Sequence, residues 1–248
     1  MCELQCLDNR LKNLKDDLSS LIDSFIELNP GYDRKLGLSF SRETDLLLSR
    51  SLLVLGHAEL ESFFEDLALD LLISSLDIWE TKGLINYNLG ALLFNSPVKM
   101  QDNDLFSDMP SKSIKKYKEE ILEKNHGIKK NNLNNIYAPI GYNLNSIKDQ
   151  KISQLICTLD LLGGRRGESA HHNQCSIHNP ISFPDLINIF QKDILNELDF
   201  FIVFLKKPHN NITVFKNHYD LATYPYHKPH AMWRKTHQQQ FLFPGDPS

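Results

Sequence analysis

Eight apolar residues, Leu4, Leu7, Leu11, Leu14, Leu18, Leu21, Phe25 and Leu28, recur in alternating steps of three and four. Side chains spaced this way return to one face of a helix, so residues 4–28 are committed to an amphipathic helix with a single apolar seam. Asn29-Pro30-Gly31 ends it, because proline cannot continue a helix and glycine turns the chain readily. The seam packs either within its own subunit or against a second copy. A second helix is expected from near Ser41, with Ser41 or Thr44 as cap, through Leu71 or beyond. Its apolar residues (Leu48, Leu52, Leu55, Phe63, Leu67, Leu71) occupy more than one face, which places it at the centre of a bundle. The few polar residues of such a helix carry information. Glu61 is one, and it stands either toward solvent or beside a functional site.

Residues 146–162 read as a third core helix, with Ile147, Ile152, Leu155, Ile156, Leu159 and Leu162 on its buried side. Gly163-Gly164 is expected to interrupt or kink it. Pro184 suits the first turn of a last helix that runs to about Lys207 through Leu186, Ile189, Phe190, Ile194, Leu198 and Phe201. Between these, residues 80–110 read as loops and short helices, and residues 131–141 as a polar linker ending at a turn. The expectation is an all-α antiparallel helical bundle over residues 1–207. An irregular tail, residues 208–248, follows it, where histidines, aromatics and prolines replace the leucine periodicity.

In 248 residues, 41% hydrophobic, there is ample material for a core. A net charge of −4 offers no whole-chain attraction for nucleic acid, so any RNA-binding surface must be local. Residues 111–130 are such a place: seven lysines against three glutamates, with Tyr117 and His126 interleaved. Lys115, Lys116, Lys118, Lys129 and Lys130 are candidate phosphate contacts, set against the alternative of a solvated helix with Lys/Glu pairs. Cys2, Cys6, Cys157 and Cys175 form no Cys-x-x-Cys pair, which argues for reduced thiols and no zinc site. His227-Lys228-Pro229-His230 has ligand-like spacing but no acidic or thiol partner nearby, and no metal or other cofactor is expected. The acidic start Met1-Cys2-Glu3 is unlike a signal peptide, and the apolar run 200–205 is far too short to span a bilayer. A cytoplasmic protein is the expectation. In that setting the Asn211-Ile212-Thr213 sequon has no meaning.

The densest chemistry lies in Gly163-Gly164-Arg165-Arg166-Gly167-Glu168-Ser169-Ala170-His171-His172. Arginine is a permanent cation whose planar fork matches phosphate oxygens. Histidine, with an ordinary pKa of about 6.5, gives or takes a proton near neutrality. Together they are a minimal kit for cutting RNA without a metal: the guanidinium neutralises the phosphate and the imidazole moves a proton. Residues five apart on a helix are separated by about 7.5 Å along the axis and about 140° around it, so Arg166 and His171 do not share a narrow stripe. Arginine's length lets the two converge. Arg165 with His171 and Arg166 with His172 also satisfy the spacing, and Glu168 is placed to orient a histidine or an arginine.

This segment resembles the Arg-x4–6-His signature of HEPN domains, and its Arg-Gly-x-x-Ala-His form that of the RiboL-PSP branch. Asn125-His126-Gly127-Ile128-Lys129 with Ala138-Pro139-Ile140-Gly141 is similar to that branch's connector. Leu55-Gly56-His57-Ala58-Glu59-Leu60-Glu61-Ser62-Phe63-Phe64 is similar to its second-helix pattern. The resemblance spans roughly residues 40–207. It implies a metal-independent endoribonuclease with Arg166 and His171 as the catalytic pair, and Arg165, Glu168, His172 and Glu61 in support. It further implies a two-fold homodimer that sets two such pairs across one cleft. A toxin or phage-defence role follows from the same resemblance, with an antitoxin or sensor as a further partner. The alternative is a non-catalytic RNA- or nucleotide-binding regulator acting through a partner protein.

Overall fold

The computed structural model describes residues 5–28, 42–99, 105–171, 181–209 and 212–213. Among them the chain is all-α apart from one short strand pair. The helices are α1 (Gln5–Glu27), α2 (Arg42–Lys82), α3 (Tyr87–Asn95), α4 (Met109–Tyr117), α5 (Lys130–Tyr137), α6 (Gln150–His171), α7 (Phe183–Asn188) and α8 (Leu195–His209). π-helical stretches Lys118–Leu122 and Ile189–Ile194 follow α4 and join α7 to α8. Strand β1 (Ile85–Asn86) pairs antiparallel with β2 (Ile212–Thr213). The tail residues 214–248, Ser41 and the 172–180 segment lie outside the described residues.

The leucine seam of α1 is spent inside the subunit. Leu7, Leu11, Leu14, Leu18 and Ile22 are buried in the common core, whereas Leu28 is exposed. That removes the reading of this seam as a dimer contact, because an apolar stripe already out of water has nothing left to gain from a second copy. Polar pairs set the helix directions. Arg10 bridges Asp66 and Asp70 of α2 at 2.7 and 2.8 Å. Lys15 reaches Asp199 and Asp8 reaches Lys206, so α1 runs antiparallel to α8. Helix α2 is central, as its all-round apolar surface requires, and touches α1, α3, α5, α6 and α7.

Two expectations are corrected. Residues 131–141 are no linker: α5 covers Lys130–Tyr137, and a 3-10 turn, Ala138–Ile140, follows it. Leu133, Ile136 and Tyr137 are buried at helical spacing. Eight residues rich in asparagine have little helix propensity of their own, so tertiary support makes the helix. Asp160 of α6 supplies part of it by accepting the Lys130 N–H at 2.9 Å, satisfying one of the amides that a first turn leaves unpaired. Three T-shaped ring contacts join Phe64, Tyr137 and Phe201, and the Tyr137 hydroxyl donates to the Phe64 carbonyl at 3.0 Å. Nor does Gly163-Gly164 break α6, which runs unbroken from Gln150 to His171. Gly163 is there for proximity. A Cβ on it would lie 2.8 Å from Lys129 Cγ and 3.3 Å from Lys129 N. The last helix is as expected in its start: Ser182 caps α7 from Asp185 N, and Pro184 sits in the first turn.

Candidate active site

The Arg-His signature occupies the C-terminal part of α6. Gly163 brings the helix against Lys129, and Asp160 holds the start of α5, so the His126-Gly127-Ile128-Lys129 connector is docked along α6 just ahead of Arg166. Ile128 anchors it in the core with no exposure. Gly127 adopts φ +142°, a conformation that side-chain-bearing residues avoid. A Cβ at that position would stand 3.7 Å from the His57 ring and 3.6 Å from Asn132 Nδ2. The connector's far end is fastened to α3. Tyr87 donates to the Gly141 carbonyl at 2.6 Å, and Asn88 donates to the Ile140 carbonyl at 3.0 Å.

Three polar residues of α2 face this junction at i, i+4 and i+8: His57, Glu61 and Glu65. His57 is 2% exposed, with Nδ1 3.6 Å from Glu61 Oε2, too long for a good hydrogen bond. Burial, and then the Arg166 charge, hold its pKa down to about 4, so the imidazole is neutral at physiological pH. Burial pushes the Glu61 carboxyl up and Glu65 pushes the same way, while Arg166, the Gly127 N–H and His126 pull it back. Burial likewise raises Glu65, against a 2.8 Å hydrogen bond donated by Asn125 Nδ2. Arg166 therefore lies within electrostatic reach of both His57 and Glu61. A guanidinium beside a neutral imidazole and a partly desolvated carboxylate suits the binding of one further anionic group.

The other residues picked from sequence are distributed as follows. Arg165 donates to Glu168 at 3.1 Å across one turn of α6, so Glu168 orients an arginine. The side chain of His171 and all of His172 lie outside the described residues. Lys129 and Lys130 are brought against α6. Lys115 and Lys116, on α4, face Glu119 and Glu120 at 3.8 and 3.9 Å, and Lys118 is exposed at the end of that helix. His57, Glu65, Asn125 and Gly127 were not singled out as site residues. Titratable positions 57, 61 and 65, each one turn from the next along α2, were the signal that could have found His57 and Glu65.

Among the described residues no cluster of three or more His, Cys, Asp or Glu is placed to hold a metal, and no helix is long and apolar enough to cross a membrane. The His-rich stretch of the tail lies outside them.

A helical bundle that carries an Arg-His signature at the end of one long helix, with Arg166 in electrostatic reach of polar residues on its central helix, defines a HEPN-type domain. The RiboL-PSP-HEPN family profile matches residues 9–207, and the chain belongs to that family. No curated protein and no solved structure matches it. HEPN membership carries an RNA-related, nuclease-type function in outline.

Proposed function

We propose that this protein is a metal-independent endoribonuclease in which Arg166 and His171 act on one scissile phosphodiester. The observation that carries the reading is the placement of Arg166. The connector packs along α6 ahead of Arg166, and the Arg166 charge is felt by His57 and Glu61 on the polar face of α2. In the proposed step a 2'-hydroxyl attacks phosphorus and gives its proton to one imidazole. The P–O5' bond breaks, and the departing oxygen takes a proton from a second imidazole. Arg166 neutralises the charge that grows on the non-bridging oxygens. The products are a 2',3'-cyclic phosphate and a 5'-hydroxyl, with atoms and protons in balance.

One chain supplies one such pair, so the reading includes a two-fold homodimer that brings His171 and its symmetry mate to one cleft. An exposed apolar stripe on α2, Leu47, Val54 and Leu55 at helical spacing, supports it; Leu161 on α6 is exposed as well. Neutral His57 and Glu61 position Arg166. Lys129 and Lys130 are the lysines best placed to hold the flanking strand. The activity suits a toxin or phage-defence effector acting in the cytoplasm, restrained by an antitoxin or sensor.

The test is incubation of the purified protein with mixed RNA in EDTA, beside His171→Ala. Cutting by wild type despite the chelator, with cyclic-phosphate ends and no cutting by the variant, is the expected result. RNA that is shifted but left whole identifies a non-catalytic binder and ends the proposal, as does equal cutting by the variant.

A further inference from the structure

A concavity adjoins the Arg166 site and takes no part in the chemistry above. It is an open groove of about 600 Å³ between α5, the α4 extension and the end of α3. That volume falls within the ~300–1,000 Å³ typical of small-molecule pockets. Its polar lining consists largely of amides, Asn95, Asn125, Asn132, Asn134 and Asn135, and its apolar floor includes the partly exposed Ile121 and Pro139.

The groove and the Arg166 site share one wall. Asn125 lines the groove, and its Nδ2 donates both to Glu65 Oε1 at 2.8 Å and to the Gly127 carbonyl at 3.1 Å. The Gly127 N–H, in turn, acts on the Glu61 carboxyl, drawing its pKa down. Asn132 Nδ2 and the His57 ring both lie within 4 Å of where a Gly127 Cβ would be.

The lining decides the class of ligand. A phosphate subsite is built from cations, but here Lys124 is matched by Glu120 and the remaining polar groups carry no charge. An amide presents a donor beside an acceptor, the pattern displayed by a base edge. Three of the five asparagines are already spoken for: Asn125 as above, Asn95 by the Ala138 and Pro139 carbonyls, and Asn134 by the Leu144 N–H. Asn132 and Asn135 make no side-chain hydrogen bond to another described residue, and their amides remain for a ligand. Apolar side chains beneath them offer a face to a flat ring, and unstacked bases are what single-stranded RNA readers grip.

We propose that this groove is a nucleobase subsite, in which Asn132 and Asn135 read the edge of a base next to the phosphate held by Arg166. The inference rests on the ribonuclease reading for the identity of the strand. Base recognition itself is measurable without cleavage.

The experiment uses the full chain and short 2'-O-methyl RNA oligomers, which lack the attacking hydroxyl, together with a base-free oligomer of equal length. Wild type is expected to bind at least one base-bearing oligomer about tenfold more tightly than the base-free one. Asn132→Ala with Asn135→Ala should reduce that ratio to about threefold or less, with an unchanged melting temperature and an unchanged salt dependence, since phosphate contacts are untouched. A ratio that survives in the double variant, or wild type blind to bases, overturns the proposal. So does a groove that loses only free mononucleotide binding, measured by competition, while RNA discrimination persists. Base-dependent binding of these oligomers by a protein that leaves unmodified RNA whole keeps the subsite standing and removes the nuclease reading. Cutting whose base preference is unchanged in the double variant removes the subsite alone.

Discussion

Gly163 and Gly164 are neighbours in one helix, yet alanine should act on them in opposite directions. Replacing a mid-helix glycine with alanine contributes about 1 kcal/mol through backbone entropy, wherever the Cβ has room. At Gly164 nothing lies within 4 Å of the added carbon, so Gly164→Ala should gain that full amount. At Gly163 the Cβ would stand 2.8 Å from Lys129 Cγ and 3.3 Å from Lys129 N. The side-chain atom can move but the backbone nitrogen belongs to the residue that caps α5, and such overpacking costs about 1–3 kcal/mol. Gly163→Ala should therefore be neutral or destabilised by up to about 2 kcal/mol, once the same propensity gain is counted. The two variants should differ by about 1–3 kcal/mol, a separation of about 0.5–1.5 M in urea midpoint for a slope near 2 kcal/mol/M. Because Lys129 leads into Gly127 and Asn132, Gly163→Ala should also weaken RNA binding, whereas Gly164→Ala should leave it unchanged. Equal stabilisation of both variants in urea titrations would refute the close approach of α6 to the connector.

Three further outcomes are expected. His57 has its pKa lowered from 6.5 to about 4, so the stability it contributes is complete above pH 6.5 and drains away as pH falls toward 4, by at most about 3 kcal/mol. Glu61 and Glu65 are shifted upward and act with the opposite sign over acid pH, so the measurement is a difference. The gap in unfolding free energy between wild type and His57→Gln should narrow from pH 7 to pH 4, and a constant gap would show that His57 takes up its proton normally. Arg166→Lys should lower RNA cleavage by about a hundredfold or more with an unchanged melting temperature, whereas Arg165→Lys, at a residue paired with Glu168, should cost less than tenfold. Equal losses in single-turnover assays would contradict the choice of Arg166. Asp160→Ala removes the acceptor of the Lys130 N–H and should cost about 1 kcal/mol, with faster exchange of that amide; Asp160→Asn should keep most of it.

Much of the bundle is written in periodicity. The three-and-four stepping of α1, the all-round apolar α2 and the Ser182-Pro184 start of α7 each state their structure locally, because burial, capping and proline's fixed φ act over a few residues. The Arg-His signature and its two companion segments were equally plain as residue types at set spacings. Helix α5 was hidden, since its asparagines argue against a helix and its support comes from Asp160 and from Phe64 and Phe201, far away in the chain. The meaning of Gly163 was hidden for the same reason. A glycine that lets two backbones meet looks, in one dimension, like a glycine that breaks a helix.

From its sequence alone this protein is a helical bundle of the HEPN kind with an arginine-histidine pair at the end of one long helix. Those properties depend on spacing along the chain, and spacing is what a sequence records. Which arginine's charge reaches His57, that His57 and Glu65 join Glu61 on the polar face of α2, and that an amide-lined groove opens behind Gly127 were decided in three dimensions. Charge, desolvation and close approach act between residues separated by scores of positions, and only the packed chain brings them within range.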